Sequence, residues 1–426
     1  MSPRRGRAVP RAAFAGVAAL LLLLLGAGCT NRVQPHLRLP ALQMGEPSFQ
    51  ATLVAYTGAA IVPGNRVDIL LNGEEIFPAK LAAIRAGRKT ITYAQYVFEE
   101  GEHAADTAEA LADRCRAGVK VHVLLDAVGA LLMPTEYHQL MADAGCQVET
   151  YRPLTPWTID RVNHRNHRRI LVVDGRVGIT GGSGTSGKWS GNGKQEGYWR
   201  DTDIRVEGPV VAQLQGAFAE NWLEATGVAL GGPDYFPRPL PARGPVAAQV
   251  VRSSPAGGSV AMYTMFLLAM ASARSSIYIT NPYFVPDDKM IDTLTKAAQR
   301  GVRVVLLLPG AIDHNVVRQA SRSQFGRLLQ GGVEIHEYRA ALLHAKTMVI
   351  DSMWATVGST NLDRRSFELN EEVNVVVYSP DIARRLEQVF VADLAESRRI
   401  TYEQWRRRGF MARILEALSF PIRSQL

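Results

Sequence analysis

The chain has 426 residues, which allows two or three domains, and its 47% hydrophobic content is that of a globular protein. The formal net charge is +8, and four of the positive charges are arginines within the first 28 residues, so the rest of the chain carries +4. That modest charge argues against nucleic acid as the main partner and is compatible with an anionic lipid surface.

Residues 1–28 predict a secretory signal. A basic stretch precedes an apolar run, Ala12 to Ala27, which is short for a bilayer span and ends in small residues. The run from Leu25 to Cys29 resembles a bacterial lipobox, which predicts that Cys29 is the lipid anchor; a plain uncleaved anchor is the alternative. In either case we expect the body of the chain in the bacterial cell envelope, outside the cytoplasm and attached to the inner or the outer membrane.

Two further cysteines, Cys115 and Cys146, lie in the body of the chain. They could pair in an oxidising compartment, because disulfides persist there. The preferred interpretation is that they are two small, buried, unpaired side chains.

The body of the chain alternates strand and helix patterns in the same order twice, which predicts an α/β fold with mixed sheets flanked by helices. Residues 29–64 are expected to be a tether and lead-in. The predicted duplicated domains span 65–230 and 256–395. A Gly/Pro-rich linker, 231–255, separates them, and a basic amphipathic tail, 396–426, follows. For that tail, a membrane-surface helix and a helix packed on the domain are equally supported.

One histidine-centred pattern occurs in both halves. His167 and Arg169 precede Asp174, and His344 and Lys346 precede Asp351. The two histidines are 177 positions apart, as are the two aspartates. A matched histidine and cation in each half predict one active site at the interface between the halves, with a phosphate held between them. Because side chains alternate along a strand, each aspartate should face away from its histidine and brace the hairpin turn.

A phosphodiester suits this arrangement, because one imidazole can attack phosphorus while the other protonates the departing oxygen. The cations and Asn361, with Ser359 and Ser183, are candidates for binding the substrate. Each imidazole needs a carboxylate to orient it. The candidates are Asp201 and Glu372, which follow their respective histidines at similar distances. No metal-ligand spacing is apparent, so no cofactor is predicted.

At these residues the chain resembles the phospholipase D superfamily and, within it, the bacterial cardiolipin synthases. The resemblance runs from about Gly64 to the C-terminus. It includes the segments 281–286, 361–367 and 369–374 beside the two histidine motifs. It implies a two-step transfer through a phosphohistidine on His167, with His344 as general acid and then base. The implied substrate is phosphatidylglycerol: its phosphatidyl group would pass to a second phosphatidylglycerol, releasing glycerol. The implied catalytic set is completed by Arg169, Asp174, Lys346 and Asp351.

The first motif departs from the family pattern at two positions. Arg169 stands where the family has lysine, and Gly184 stands where an asparagine is expected. Arginine keeps the charge but differs in shape and reach. The alternatives to a phosphatidyl transferase are therefore a hydrolytic phospholipase D and, with less support, a catalytically impaired lipid-binding homologue.

Overall fold

The computed structural model describes residues 39–40, 42–154, 163–254, 260–311, 315–410, 413–414 and 416. The predicted signal segment 1–28 and the predicted lipid anchor Cys29 lie outside the described residues. From Pro40 onward the chain forms one compact unit. Within the described ranges, no helix combines the length and the apolar character that crossing a membrane requires.

The first half contains strands and helices that alternate along most of its length. In chain order they are α1 (Pro47–Thr57), β1 (Val62–Leu71), α2 (Asn72–Ala86), β2 (Thr90–Gln95), α3 (Glu102–Arg116), β3 (Lys120–Asp126), α4 (Thr135–Asp143), β4 (Gln147–Tyr151), β5 (Ile170–Val173), β6 (Val177–Gly181), β7 (Trp199–Arg200), β8 (Thr202–Glu207) and α5 (Val211–Thr226).

The second half repeats this order with small additions. Its elements are β9 (Val246–Ser253), α6 (Ala261–Ser272), β10 (Ser276–Thr280), β11 (Phe284–Val285), α7 (Asp288–Gln299), β12 (Arg303–Pro309), α8 (Asn315–Gln330), β13 (Glu334–Tyr338), β14 (Leu342–Leu343), β15 (Thr347–Ile350), β16 (Trp354–Gly358), β17 (Leu362–Asp363), α9 (Arg364–Glu368), β18 (Glu372–Tyr378), α10 (Pro380–Ala395), β19 (Ser397–Ile400) and α11 (Tyr402–Arg406).

Fifteen strands form one continuous sheet in the order β19-β13-β12-β10-β15-β16-β18-β9-β1-β8-β6-β5-β2-β3-β4. The sheet is mixed: β2, β3 and β4 pair in parallel, as do β10, β12 and β13, and the other pairs are antiparallel. Strands such as β2, β5, β10 and β16 are buried along their whole length, as expected for a sheet covered by helices on both faces. The predicted duplicated α/β architecture is confirmed.

The two halves are joined at the middle of the sheet, where β1 pairs with β9. Outward from this junction, the strand order of one half mirrors that of the other. The predicted linker 231–255 is therefore wrong in its last part, because Val246–Ser253 is the central strand β9. The Gly/Pro-rich composition that indicated a linker belongs to the residues before it.

The predicted tether and tail also contain regular structure. Residues 29–64 are more than a tether, because helix α1 lies within them and buries Phe49 and Leu53. In the tail, β19 pairs with β13 at the edge of the sheet. Trp405 of α11 donates its indole N–H to the backbone oxygen of Arg322, at 2.9 Å. The beginning of the tail thus packs on the domain, whereas most of its end lies outside the described residues.

Cys115 and Cys146 form a disulfide, with their Cα atoms 5.4 Å apart. The bond joins the end of α3 to the residue before β4 and encloses β3 and α4. The sequence-based preference for two unpaired side chains was wrong. Spacing along the chain gives no distance in space, and the fold brings these two positions together.

Candidate active site

The two histidine segments lie just before β5 and β15, outside the regular strands. Strand β15 begins at Thr347, three residues after His344. Each segment runs beside a segment of the other half. The backbone N–H of His167 donates to the oxygen of Glu371 (3.0 Å), and that of His344 donates to the oxygen of Arg200 (2.8 Å). These backbone contacts place each histidine next to a carboxylate that belongs to the opposite half of the chain.

Each imidazole contacts a carboxylate from the other half of the chain. Nδ1 of His167 lies 2.9 Å from Glu372 Oε1, and Nδ1 of His344 lies 2.8 Å from Asp201 Oδ2. All four side chains are buried. An ionised carboxylate only accepts hydrogen bonds, so each contact, when its carboxylate is ionised, places the ring hydrogen on Nδ1 and leaves Nε2 as the reactive nitrogen. Sequence order had associated Asp201 with His167 and Glu372 with His344, and the folded chain reverses this association.

A cation contacts each imidazole. Arg169 Nη2 lies 3.0 Å from Nε2 of His167. Lys346 Nζ lies 2.9 Å from both ring nitrogens of His344 and so sits over the ring. Each cation is two residues after its histidine. The predicted meeting of histidine and cation is present in both halves, with the positive charges placed where an anion would enter.

Both histidines line one cavity of about 950 Å³. Aromatic rings surround them: Tyr96 meets His167 edge-on, and Trp189, Trp199 and Tyr283 surround His344. The residues that line the cavity include Tyr96, Val97, Glu99, Val128, Gly129, Leu131, Leu132, His167, Arg169, Lys188, Trp189, Trp199, Tyr283, Val317, His344, Asn361, Asp363, Arg365 and Asn370. The cavity thus joins a buried polar floor to apolar walls, as expected for a ligand with a charged head and a hydrophobic body.

Burial lowers the pKa of both imidazoles. For His167 the nearby Arg169 and Lys346 lower the pKa further, well below its ordinary value. For His344 burial and Lys346 together outweigh the attraction of Asp201 and lower the pKa to about 3. Both rings are consequently neutral at pH 7, and each keeps a lone pair on Nε2; the lone pair of His167 accepts a hydrogen bond from Arg169 Nη2.

The two orienting carboxylates respond differently to the same surroundings. Burial raises the pKa of Glu372 to about 7. Burial also favours the neutral form of Asp201, but His344 and Lys346 outweigh it and hold the pKa of Asp201 below its ordinary value. Near pH 7 Asp201 is therefore ionised, whereas Glu372 is close to its titration midpoint.

Asp174 and Asp351 face away from the cavity. Asp174 accepts hydrogen bonds from the backbone N–H groups of residues 88–90, at 2.7 to 3.2 Å. Asp351 accepts equivalent bonds from residues 274–276, at 2.7 to 2.9 Å. Each aspartate therefore fastens a hairpin turn to the start of the neighbouring strand. They hold the framework, and the structure gives neither of them a contact with the reacting groups.

The two serines expected to bind substrate do not line the cavity. Ser183 donates to Asp203 Oδ2 (2.6 Å) and accepts from Lys80 Nζ (2.7 Å), inside a buried ion pair. Ser359 donates its hydroxyl to the carboxylate of Glu372. The expectation of direct substrate binding is corrected: these hydroxyls support buried carboxylates.

Asn361 lines the cavity, as predicted, and Asn370 lies there too without having been singled out. The side-chain oxygens of both, and Nε of Arg169, are buried and have no hydrogen-bond partner among the described residues. Asn370 belongs to the 369–374 segment of the resemblance, so the signal was present. Polar groups left unpaired beside two neutral imidazoles are suited to contact an entering ligand.

The fold is shared with solved structures of distant sequence. The crystal structure of phosphatidylserine synthase from Haemophilus influenzae Rd KW20 matches with a TM-score of 0.65 and 12% identity, covering 89% of this chain and 98% of that one. Polyphosphate kinase from Porphyromonas gingivalis matches with a TM-score of 0.53, also at 12% identity, covering 85% of this chain and 54% of the kinase.

Sequence relatives are closer. The cardiolipin synthase of Geobacillus kaustophilus is 36% identical over 82% of this chain and 70% of its own length. The major cardiolipin synthase of Bacillus subtilis is 34% identical over 86% of this chain and 77% of its own length. A family model described as "Cardiolipin synthase, PLD-like domain" matches residues 81–222 and 267–394. The chain belongs to this cardiolipin synthase family of phospholipase D-like proteins.

Proposed function

We propose that this protein is a phosphatidyl transferase that joins two phosphatidylglycerol molecules into cardiolipin and releases glycerol. One observation carries the proposal: two imidazoles, each fixed by a buried carboxylate and each touching a cation, line a single cavity. The identities of 36% and 34% to proteins named cardiolipin synthases support this substrate over other phosphodiesters.

In the first step, Nε2 of His167 attacks the phosphorus of phosphatidylglycerol. A bond forms between nitrogen and phosphorus, and the ester bond to the glycerol headgroup breaks. The departing oxygen takes a proton from Nε2 of His344, so glycerol leaves as a neutral alcohol. Arg169 and Lys346 stabilise the negative charge on the non-bridging oxygens while the bonds change.

His344 is neutral in the empty cavity, yet the first step needs it protonated. The entering phosphodiester carries a negative charge, which offsets the repulsion that Lys346 and Arg169 exert on a proton at His344. Asp201, ionised and 2.8 Å from Nδ1, stabilises the imidazolium that results. Substrate binding and protonation of the general acid are therefore coupled.

In the second step, the terminal hydroxyl of another phosphatidylglycerol enters. Nε2 of His344 takes its proton, the oxygen attacks phosphorus, and the bond to His167 breaks. One phosphodiester replaces another, so the reaction needs no activated donor. Water in place of the second lipid would give phosphatidic acid, which is the hydrolytic alternative.

The test is product analysis with purified protein and phosphatidylglycerol vesicles. We expect free glycerol and a diphosphatidyl product in equal amounts. Phosphatidic acid as the sole product would assign hydrolysis, and no turnover would assign the lipid-binding homologue. Quenched reactions should trap an adduct that His167→Ala abolishes. An adduct on His344 would reverse the assignment of nucleophile and acid.

We also propose that the protein is a lipoprotein of the bacterial cell envelope, anchored through Cys29 after removal of the signal 1–28. The basic and apolar pattern of that segment supports this location, and the Cys115–Cys146 disulfide suits an oxidising compartment. Metabolic labelling with a fatty acid is expected to mark the native chain and not Cys29→Ser. Equal labelling of both would contradict the anchor.

A further inference from the structure

The turn between β3 and α4 exposes apolar side chains at the mouth of the cavity. Leu131 and Leu132 are 69% and 71% exposed, and Val128 is 37% exposed. All three also line the cavity. Exposed apolar side chains are common when they are scattered. Three within five positions at the entrance of a site form an apolar patch whose exposure to water is unfavourable.

The base of this turn is fixed to the catalytic segment. The buried carboxylate of Asp126 accepts hydrogen bonds from the backbone of Val128 and Gly129, at 2.9 and 3.2 Å. The same side chain accepts from the backbone of Asn166, the residue before His167, at 2.8 Å. The leucines therefore project from a rigid support that also positions the nucleophile.

Cations on the cavity wall complement a lipid of negative charge. Arg169, Lys188 and Arg365 line the cavity together with the apolar turn, and Lys188 is paired with Glu99, which lines it as well. We propose that residues 127–133 insert among the acyl chains of an anionic bilayer, so that the cavity opens directly onto the membrane surface. The insertion rests on the proposed function, and it identifies the face of the molecule that contacts the lipid. A headgroup could then reach the imidazoles while its acyl chains remain in the bilayer.

The test uses the full chain with Leu131→Trp and phosphatidylglycerol vesicles whose acyl chains are brominated. We expect the added tryptophan to shift its emission to the blue and to be quenched at least twofold more than the native background. Leu223→Trp on α5 is the matched control, because Leu223 is 47% exposed and does not line the cavity.

Equal quenching of the two variants would overturn the insertion. So would the absence of quenching in Leu131→Trp. Cardiolipin formation is measured with the native protein and the same vesicles, because Leu131 itself lines the cavity. Turnover without quenching would refute the membrane-facing turn alone, whereas quenching without turnover would refute the proposed function and leave the insertion standing.

An independent observation concerns Trp189, which occupies the space of the missing asparagine of the first motif. Gly184 corresponds to Asn361 in the second half. A Cβ atom at Gly184 would lie 2.6 Å from two carbons of the Trp189 ring. The indole, which is 1% exposed, therefore fills the volume in which the asparagine would lie.

The same indole also supplies a hydrogen bond. Nε1 of Trp189 donates to Asp201 Oδ2 at 2.8 Å, and this oxygen is the one that meets Nδ1 of His344. In the other half, the hydroxyl of Ser359 donates to Glu372 in the equivalent place. We propose that Trp189 is a positioning residue that orients His344 through Asp201.

Trp189→Phe keeps most of the ring and removes the N–H. We expect kcat to fall about tenfold with KM nearly unchanged, since one buried hydrogen bond to a charged group is lost. The titration of His344, followed by nitrogen NMR, should move to higher pH, because the N–H dipole no longer competes for the Asp201 carboxylate. This NMR readout needs no lipid substrate, so it stands apart from the proposed function.

Trp222→Phe is the matched control, because Trp222 is equally buried and its Nε1 has no partner among the described residues. Gly184→Asn alone should lower the activity, because the new side chain clashes with the indole. The double variant with Gly184→Asn and Trp189→Ala should be more active than Trp189→Ala alone. Identical behaviour of Trp189→Phe and Trp222→Phe, or full activity of Gly184→Asn alone, would overturn the role.

Discussion

The carboxylate of Glu372 fixes the imidazole of His167, although 205 positions separate them along the chain. The reciprocal pair, Asp201 and His344, spans 143 positions. Each half therefore supplies the reacting ring of one pair and the orienting group of the other.

The exchange predicts which mutations resemble each other. Asp201→Asn should behave like a His344 variant, because the amide no longer stabilises its imidazolium, and kcat should fall by about 10²–10⁴. With a 4-nitrophenyl phosphodiester, whose leaving group needs little protonation, we expect Asp201→Asn to release one equivalent of 4-nitrophenol in a burst. The variant should then stop at a trapped adduct on His167. Glu372→Gln should instead slow the burst, as His167 variants do. The opposite pattern would contradict the exchanged pairs.

Glu372 should set the acid limb of the pH profile. Burial raises its pKa to about 7, so the carboxylate is ionised above that pH and protonated below it. The ionised form can only accept, so it holds the ring hydrogen of His167 on Nδ1 and leaves the lone pair on Nε2. The protonated form can donate its O–H to Nδ1, which shifts the ring hydrogen to Nε2 and removes that lone pair. We expect kcat/KM to fall as pH drops through about 7. In Glu372→Gln the residual activity should lose this limb, and an unchanged limb would exclude Glu372 as its origin.

Asp351→Ala should lower the stability of the fold more than the rate of the reaction. The carboxylate accepts three backbone hydrogen bonds at the start of β10, and their loss should cost about 2 kcal/mol in the free energy of unfolding. Urea unfolding measures this change, with Asp174→Ala as the matched variant in the first half. The activity of the remaining folded protein should stay within a few-fold of the native value. A large loss of kcat at unchanged stability would give these aspartates a chemical role.

The Cys115–Cys146 bond closes a loop over 31 positions. Replacing both cysteines with alanine should lower the free energy of unfolding by about 3 kcal/mol, since the unfolded chain gains freedom. Urea unfolding with and without reductant tests this. The native protein should lose the same stability on reduction, and the double variant should not respond. Equal responses of the two proteins would contradict the bond.

The sequence predicted those parts of the fold that depend on local pattern. The hairpin around Asp174 and Gly175 and the repeated strand order appear where expected, because turn chemistry and apolar alternation act over a few residues. The strand Val246–Ser253 was missed because Gly/Pro-rich residues precede it. Its pairing with β1 and β18 depends on contacts between the halves, which no local pattern records.

The candidate site was likewise predicted only where local pattern reports it. Histidines and cations were identified because the motif repeats. The carboxylates were identified as residue types, but their partners were not, because distance along the chain does not report which half folds against which. Trp189 was also missed, because it lies outside the motif and its contact with Gly184 exists only in the folded chain.

The exchanged carboxylates make the duplicated architecture indivisible in function. A fragment that ends before β9 would keep His167 and lose the group that orients it, and the complementary fragment would keep His344 and lose Asp201. A single copy of the repeat holds neither pair complete and would need a second copy, placed as in this chain, to form both. The fused chain carries both copies and therefore assembles the whole site within one molecule.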